Sequence, residues 1–222
     1  MTYLHWEEKT ITDFSDKSVT KMYGEGYVFT RLGKGVMHQT RSVRIDLARF
    51  ELSSENRRIL KKSDGLKIEL ATIPYLGYEW SIGKLAKDFY EKKFGAGIMS
   101  AAKIKEILTE ADKSNFNALV LYPFEGLIPG YCVSYLNKDI IHYSYPFYDL
   151  ETSPKDMGLG MMTLAIQYAK DSGIKYIYLG CLQRPTDTYK LQFAGLEWFD
   201  GKKWQTDIEE VKKVLASAKM SE

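Results

Sequence analysis

Residues 153–173, SPKDMGLGMMTLAIQYAKDSG, set two glycines, Gly158 and Gly160, directly before an amphipathic stretch. Met161, Leu164, Ala165, Tyr168 and Ala169 recur at helical spacing on one face, and Gly173 suits the left-handed position that closes a helix. Glycine before a helix lets backbone N–H groups approach a phosphate, where the dipole favours negative charge. The residues Met157, Gly158 and Leu159 are therefore expected to offer free N–H groups to an anion, a plain turn being the alternative.

Reading outward, ALVLYPFEGLIPGYCVSYLNKDIIHYSYPFYD gives three aromatic-rich strands broken at PFEG and LNKD, an antiparallel meander. After the helix, IKYIYLG reads as a buried strand. Strand, glycine loop, helix and strand make a crossover, so 140–148 and 174–180 are predicted to be parallel neighbours that diverge at their C-terminal ends. Further out, GYVFTRLGKGVM reads as two strands around a turn, and RSVRIDLARFEL as an extended segment. Ser53 or Ser54 caps a basic helix, ENRRILKK, and GLKIELATIPY is a strand stopped by Pro74. Helices are predicted over 81–94 and 100–112, a short one capped by Thr186 in TDTYKLQF, a hairpin turning at Asp200-Gly201, and a last helix capped by Asp207. No repeat or long linker divides the chain, so residues 1–222 read as one domain of α/β (α+β) class, a mixed sheet flanked by helices.

Hydrophobic residues at 45% and charged residues at 27% match a globular protein, and no apolar run reaches the length of a membrane span. A cytoplasmic protein without a membrane partner is expected. Cys132 and Cys181 lack paired spacing and read as buried strand thiols; His5, His38 and His142 are scattered, so no metal is expected. Net charge is only +2, yet residues 31–62 hold nine Lys and Arg against three Asp and Glu. Such a basic N-terminal part suits a polyanion or a solvated helix face.

KDMGLG, with Lys155 ahead of the glycines, resembles the (Q/R)xxGxG loop with which GNAT acyltransferases bind coenzyme A pyrophosphate, and the strand order agrees with that fold. A wider set of elements, Tyr148-Asp149, the glycine loop, YIYLG at 176–180, and Tyr189-Lys190 followed by Phe193, resembles the C-terminal part of the arginyl- and leucyl-tRNA–protein transferases. RSVRIDLARFELSSENRRILKK is similar to that family's RxPVxxFxPSxSQRRxLKR segment. The family's N-terminal cysteines are absent from GKGVMHQTRSVR, so no metal or redox control tied to them is expected.

The resemblance implies a GNAT-like fold and transfer of an amino acid, arginine first and leucine as the alternative, from aminoacyl-tRNA to a protein N-terminal amine, commonly beside an acidic residue. It implies no cofactor beyond the aminoacyl-tRNA co-substrate. It places Asp149, Tyr148 and Tyr178 at the reacting centre, and Lys155, Gly158, Leu159, Gly160, Tyr189 and Lys190 on the donor. Arg44, Arg49, Arg57 and Arg58 are then candidates for the tRNA or an acidic acceptor. An acetyl-CoA-dependent N-acetyltransferase and a non-catalytic module binding tRNA or protein N-termini are the other readings of the same pattern.

Overall fold

The computed structural model describes residues 4–154 and 156–217. The meander forms as predicted: β6 (Ala118–Phe124), β7 (Leu127–Leu136) and β8 (Ile140–Tyr148) pair antiparallel. Helix α5 (Met157–Asp171) then crosses to β9 (Tyr176–Cys181), which lies beside β8 and parallel to it. The crossover follows from sequence, because α5 must bury its apolar face on the sheet before the chain can return.

The remaining elements extend this pair. Strands β4 (Ser42–Asp46), β10 (Leu196–Phe199) and β11 (Trp204–Gln205) continue the sheet beyond β9, and β5 (Glu69–Thr72) closes its other edge. The order across the sheet is β11-β10-β4-β9-β8-β7-β6-β5, and β8–β9 is its parallel pair. Strands β1 (Glu7–Thr10), β2 (Tyr27–Phe29) and β3 (Val36–Gln39) form a separate antiparallel sheet. The expected mixed sheet flanked by helices is thus present.

Helices α1 (Asp16–Gly24), α3 (Trp80–Phe94) and α4 (Ala101–Thr109) cover one face, burying Tyr23, Ala86, Phe89 and Ile104 with Phe29 and Tyr178. Helices α5 and α6 (Ile208–Ser217) cover the other through Met161, Ile166, Val211 and Leu215. Helix α2 (Ser54–Lys62) lies along α5 and starts at Ser53, whose hydroxyl accepts the Asn56 N–H. Asp207 caps α6 as expected, accepting from the N–H groups of Glu209 and Glu210. The Thr186 cap is corrected. Residues Pro185–Gln192 form a 3-10 turn in which the Asp187 carboxylate accepts from Gln183 N and Arg184 N, a stronger acceptor than a hydroxyl.

Candidate active site where two parallel strands part

Strands β8 and β9 pair only from Ile140 opposite Tyr176 to His142 opposite Tyr178. Two local features end the ladder. On the β7 side the register shifts between Val133–Tyr145 and Ser134–Tyr143, so Ser144 is the extra residue of a bulge that bends β8. On β9, Gly180 takes φ +77°, a conformation costly for any residue with a Cβ, and turns the strand aside.

Lys190 fills the opening. Its side chain runs inward, only 8% exposed, and its ammonium donates to the Cys181 carbonyl at 2.8 Å. An ammonium carries three protons, and among the described residues no carboxylate lies within 4.0 Å of it. Tyr189, 47% exposed, stands beside it, its ring centroid 5.7 Å from Lys190 Nζ. Aromatic side chains wall the opening: Tyr148 packs on Phe89 at 4.8 Å between centroids, Phe89 on Tyr90 at 5.3 Å, and Tyr90 on Phe94 at 5.6 Å.

Beneath lies His142. The Phe29 N–H donates to the Tyr23 hydroxyl oxygen at 3.3 Å, and that hydroxyl meets His142 Nδ1 at 2.9 Å. The Tyr23 hydroxyl thus ties the imidazole to the β2 backbone and fixes the orientation of the ring. Burial, and then the nearby Lys190 charge, push the His142 pKa down to about 3, so the ring is neutral at physiological pH. The imidazole is a fixed, uncharged floor under the ammonium.

Of the residues expected at the reacting centre, Tyr148 lies at the opening. Asp149 does not act as a free base there: its carboxylate accepts from Glu151 N, Thr152 N and the Thr152 hydroxyl. The Glu151 N–H first, then that hydroxyl, hold it below the usual carboxylate range, so it is a turn cap. Tyr178 is buried rather than exposed to a substrate, edge-on to Tyr23 at 4.8 Å, and burial pushes its pKa up to about 12.

The glycine loop is also corrected. Asp156, in the left-handed region at φ +64°, is the N-cap, so Gly158, Leu159 and Gly160 belong to the first turn of α5. Their N–H groups are taken. Met157 N donates to Pro154 O at 3.2 Å, Leu159 N and Gly160 N donate to Asp156 O at 3.0 and 2.9 Å, and Gly158 N faces the Tyr148 hydroxyl. The glycines serve packing: a Cβ at Gly160 would stand 2.3 Å from Ser63 Oγ, and one at Gly158 3.1 Å from the Tyr148 ring. The Asp156 carboxylate makes no capping bond to these N–H groups and pairs instead with Lys62 on α2 at 2.9 Å. Lys155 lies outside the described residues.

Arg44 and Arg49 are structural. Arg44 donates to Glu197 at 2.7 Å and to the Tyr178 hydroxyl at 3.3 Å, sandwiched 4.0 Å from the Tyr176 and Trp204 ring centroids. Arg49 pairs with Asp46 at 2.7 Å and with Glu197. Arg57 and Arg58 stay exposed on α2, Arg57 donating to Leu52 O at 2.6 Å and Arg58 paired with Glu55. Cys181, expected buried, is partly exposed at the end of β9.

Three residues at the opening escape sequence reading. Arg31 comes from the β2–β3 turn, Arg184 from the segment after β9, and Tyr145 directly follows the bulge. Tyr148 and the YK pair pointed to this place; these three converge on it through the sheet topology.

No model of a known protein family matches the sequence. Comparison with characterised proteins does find relatives. Over 178 residues the chain is 25% identical to the aspartate/glutamate leucyltransferase of Dinoroseobacter shibae, covering 74% of this chain and 61% of that protein. The chain is thus similar in sequence to proteins named aspartate/glutamate leucyltransferase. The leucyltransferase of Alkalilimnicola ehrlichii is 26% identical over 185 residues, covering 81% of this chain and 75% of that protein. The match thus spans less than two thirds of the Dinoroseobacter leucyltransferase. Among solved structures, that of L-PGS from Bacillus licheniformis superposes with a TM-score of 0.48 at 14% identity, covering 91% of this chain and 69% of that one. As for membranes, among the described residues no helix of the chain is long and apolar enough to cross one.

Proposed function

We propose that this chain is an acyltransferase that moves an aminoacyl group, leucyl in the first instance, from aminoacyl-tRNA to a protein N-terminal amine. The observation that carries this reading is the Lys190 ammonium, nearly buried where β8 and β9 part and held by one carbonyl. The relatives' name favours leucine over arginine as the amino acid, and its aspartate/glutamate supports the acidic acceptor expected from the sequence.

An aminoacyl ester is already activated, so no covalent nucleophile is required. The amine nitrogen attacks the ester carbonyl, the C–N bond forms, the bond to the ribose oxygen breaks, and the amine's proton ends on that oxygen. Negative charge grows on the carbonyl oxygen and then on the departing one. Lys190 has protons to donate to both, in a site where a fixed charge acts with little screening. Tyr148 and Tyr189 offer ring faces to the leucyl side chain or the terminal base, and the exposed cations of α2 suit the acceptor stem.

The start of α5 argues against the acetyl-CoA alternative, since its N–H groups are already engaged within the chain. The test is to incubate the chain with labelled leucyl-tRNA, arginyl-tRNA or acetyl-CoA and peptides of varied N-terminus. Leucine should appear on peptides beginning with Asp or Glu, and ribonuclease should abolish the product. Turnover of acetyl-CoA, or no transfer from any charged tRNA, would overturn the proposal.

A further inference from the structure

Lys190 has company. Arg31 donates to the Ile98 carbonyl at 2.6 Å and lies with Cζ 5.9 Å from the Tyr145 ring centroid. Arg184 lies with Cζ 4.6 Å from the centroid of Phe94. Phe94 ends α3 and Ile98 follows four residues later, so two arginines distant in sequence are anchored on one short stretch. Both are partly buried, and Tyr90, within that stretch's aromatic wall, feels both Arg31 and Tyr189 electrostatically.

Among the described residues neither guanidinium pairs with a carboxylate within 4.0 Å, Arg184 meeting Asp187 only through its backbone N–H, whereas Arg44, Arg49 and Arg58 are all matched to acids. Partly desolvated cations without counter-ions favour an anion that arrives with a ligand. A guanidinium presents five donors in a planar fork, and Arg31 gives one of them to Ile98 O. The matching ligand group is a planar carboxylate.

We propose that Arg31 and Arg184 select the acceptor by holding the side-chain carboxylate of an N-terminal aspartate or glutamate while its α-amine reaches the ester beside Lys190. This rests on the aminoacyl-transfer reading above. The same cations favour the neutral, nucleophilic form of the incoming amine over its ammonium, because like charges nearby penalise the protonated state. A basic N-terminal residue would be rejected by the same repulsion. An RNA phosphate is the competing occupant; partial burial within an aromatic wall suits a side chain entering a pocket better than a backbone lying on a surface.

The test compares peptides beginning with Asp and Asn, which differ in charge and little in shape. Their binding to the chain and leucyl transfer to them would be measured for wild type, Arg31→Gln, Arg184→Gln, the double variant and Arg184→Lys. Wild type should favour Asp by about 10- to 100-fold in kcat/KM, the range for a charge-assisted hydrogen bond. The double variant should lose that preference through KM, Arg184→Lys should recover part of it, and leucyl-tRNA affinity should stay unchanged throughout. A folded double variant that keeps the preference overturns the proposal, as does one that loses tRNA affinity with the preference intact. Selective binding of the Asp peptide without product would remove the transfer reading and leave the subsite. Transfer that ignores the difference between Asp and Asn would do the reverse, and a wild-type chain that neither binds nor modifies either peptide ends both.

Discussion

The Lys190 ammonium stands 2.8 Å from the carbonyl oxygen of Cys181, the residue that follows Gly180. A Cβ at Gly180 would lie 3.8 Å from Nζ, an ordinary contact, so it is the positive φ of +77° rather than space that calls for glycine beside this carbonyl. The glycine ending YIYLG and the lysine of the YK pair therefore meet at one carbonyl. Lys190→Met should lower single-turnover transfer by about 10²–10³-fold, the scale of losing one preorganised donor to a developing oxyanion. Its melting temperature should hold or rise, since a buried charge without a counter-ion costs stability. A variant that transfers normally would remove Lys190 from the chemistry.

His142 gives a pH signature. Its folded pKa, about 3, is depressed below the usual 6.5, so its contribution to stability is complete above about pH 6.5 and is lost as pH falls toward 3. Unfolding free energy should fall by up to about 1.4 kcal/mol per pH unit in that window from this group alone. His142→Gln should flatten the acid limb of a urea-midpoint curve, and Lys190→Met should partly do so by letting the imidazole accept a proton more readily. Wild-type and His142→Gln curves that run parallel from pH 4 to 7 would contradict the assignment.

Much of the scaffold was legible because it rests on local rules: the crossover between β8 and β9, the meander, and the Ser53 and Asp207 caps all follow from spacing and turn chemistry. The active opening was not. One extra residue at Ser144 leaves no mark in an alternating aromatic strand, and Arg31 meets the end of α3 only through the fold. Gly158 and Gly160 were misread for the same reason. A glycine near a helix start suits an anion or a close neighbour equally, and Ser63, 97 positions upstream of Gly160, decides for the neighbour.

That neighbour fixes the outcome at Gly160. With Ser63 Oγ 2.3 Å from where a Cβ would be, Gly160→Val must push α2 away from α5, costing roughly 1–3 kcal/mol by overpacking. Chemical denaturation should show the loss. Full stability combined with weakened donor binding would restore the anion-loop reading.

Arg44 should behave as a tie between β4 and β10. Arg44→Ala leaves Glu197, 13% exposed, with only Arg49, and strips a guanidinium from between Tyr176 and Trp204. A loss of about 2–3 kcal/mol is expected, below the range for a fully stranded buried charge because Arg49 remains. Affinity for tRNA, measured well below the melting temperature, should not change. A stable variant with weakened tRNA binding would return Arg44 to the RNA surface.

The α2 surface separates cations by their partners. Arg58 is matched by Glu55 and Lys62 by Asp156, whereas among the described residues Arg57 and Lys61 have no carboxylate within 4.0 Å. A cation already paired must break that pair before it releases a counter-ion from RNA, so exposed charge alone does not set its contribution. If α2 follows the acceptor stem, Arg57→Ala with Lys61→Ala should weaken tRNA binding and reduce the slope of log affinity against log salt by about 1–2. Arg58→Ala should change it less, since Glu55 then turns unpaired and repels phosphate, lowering affinity without removing a full contact. Filter binding from about 50 to 200 mM salt resolves these slopes. Equal slopes for wild type and the Arg57/Lys61 double variant would take α2 off the RNA path.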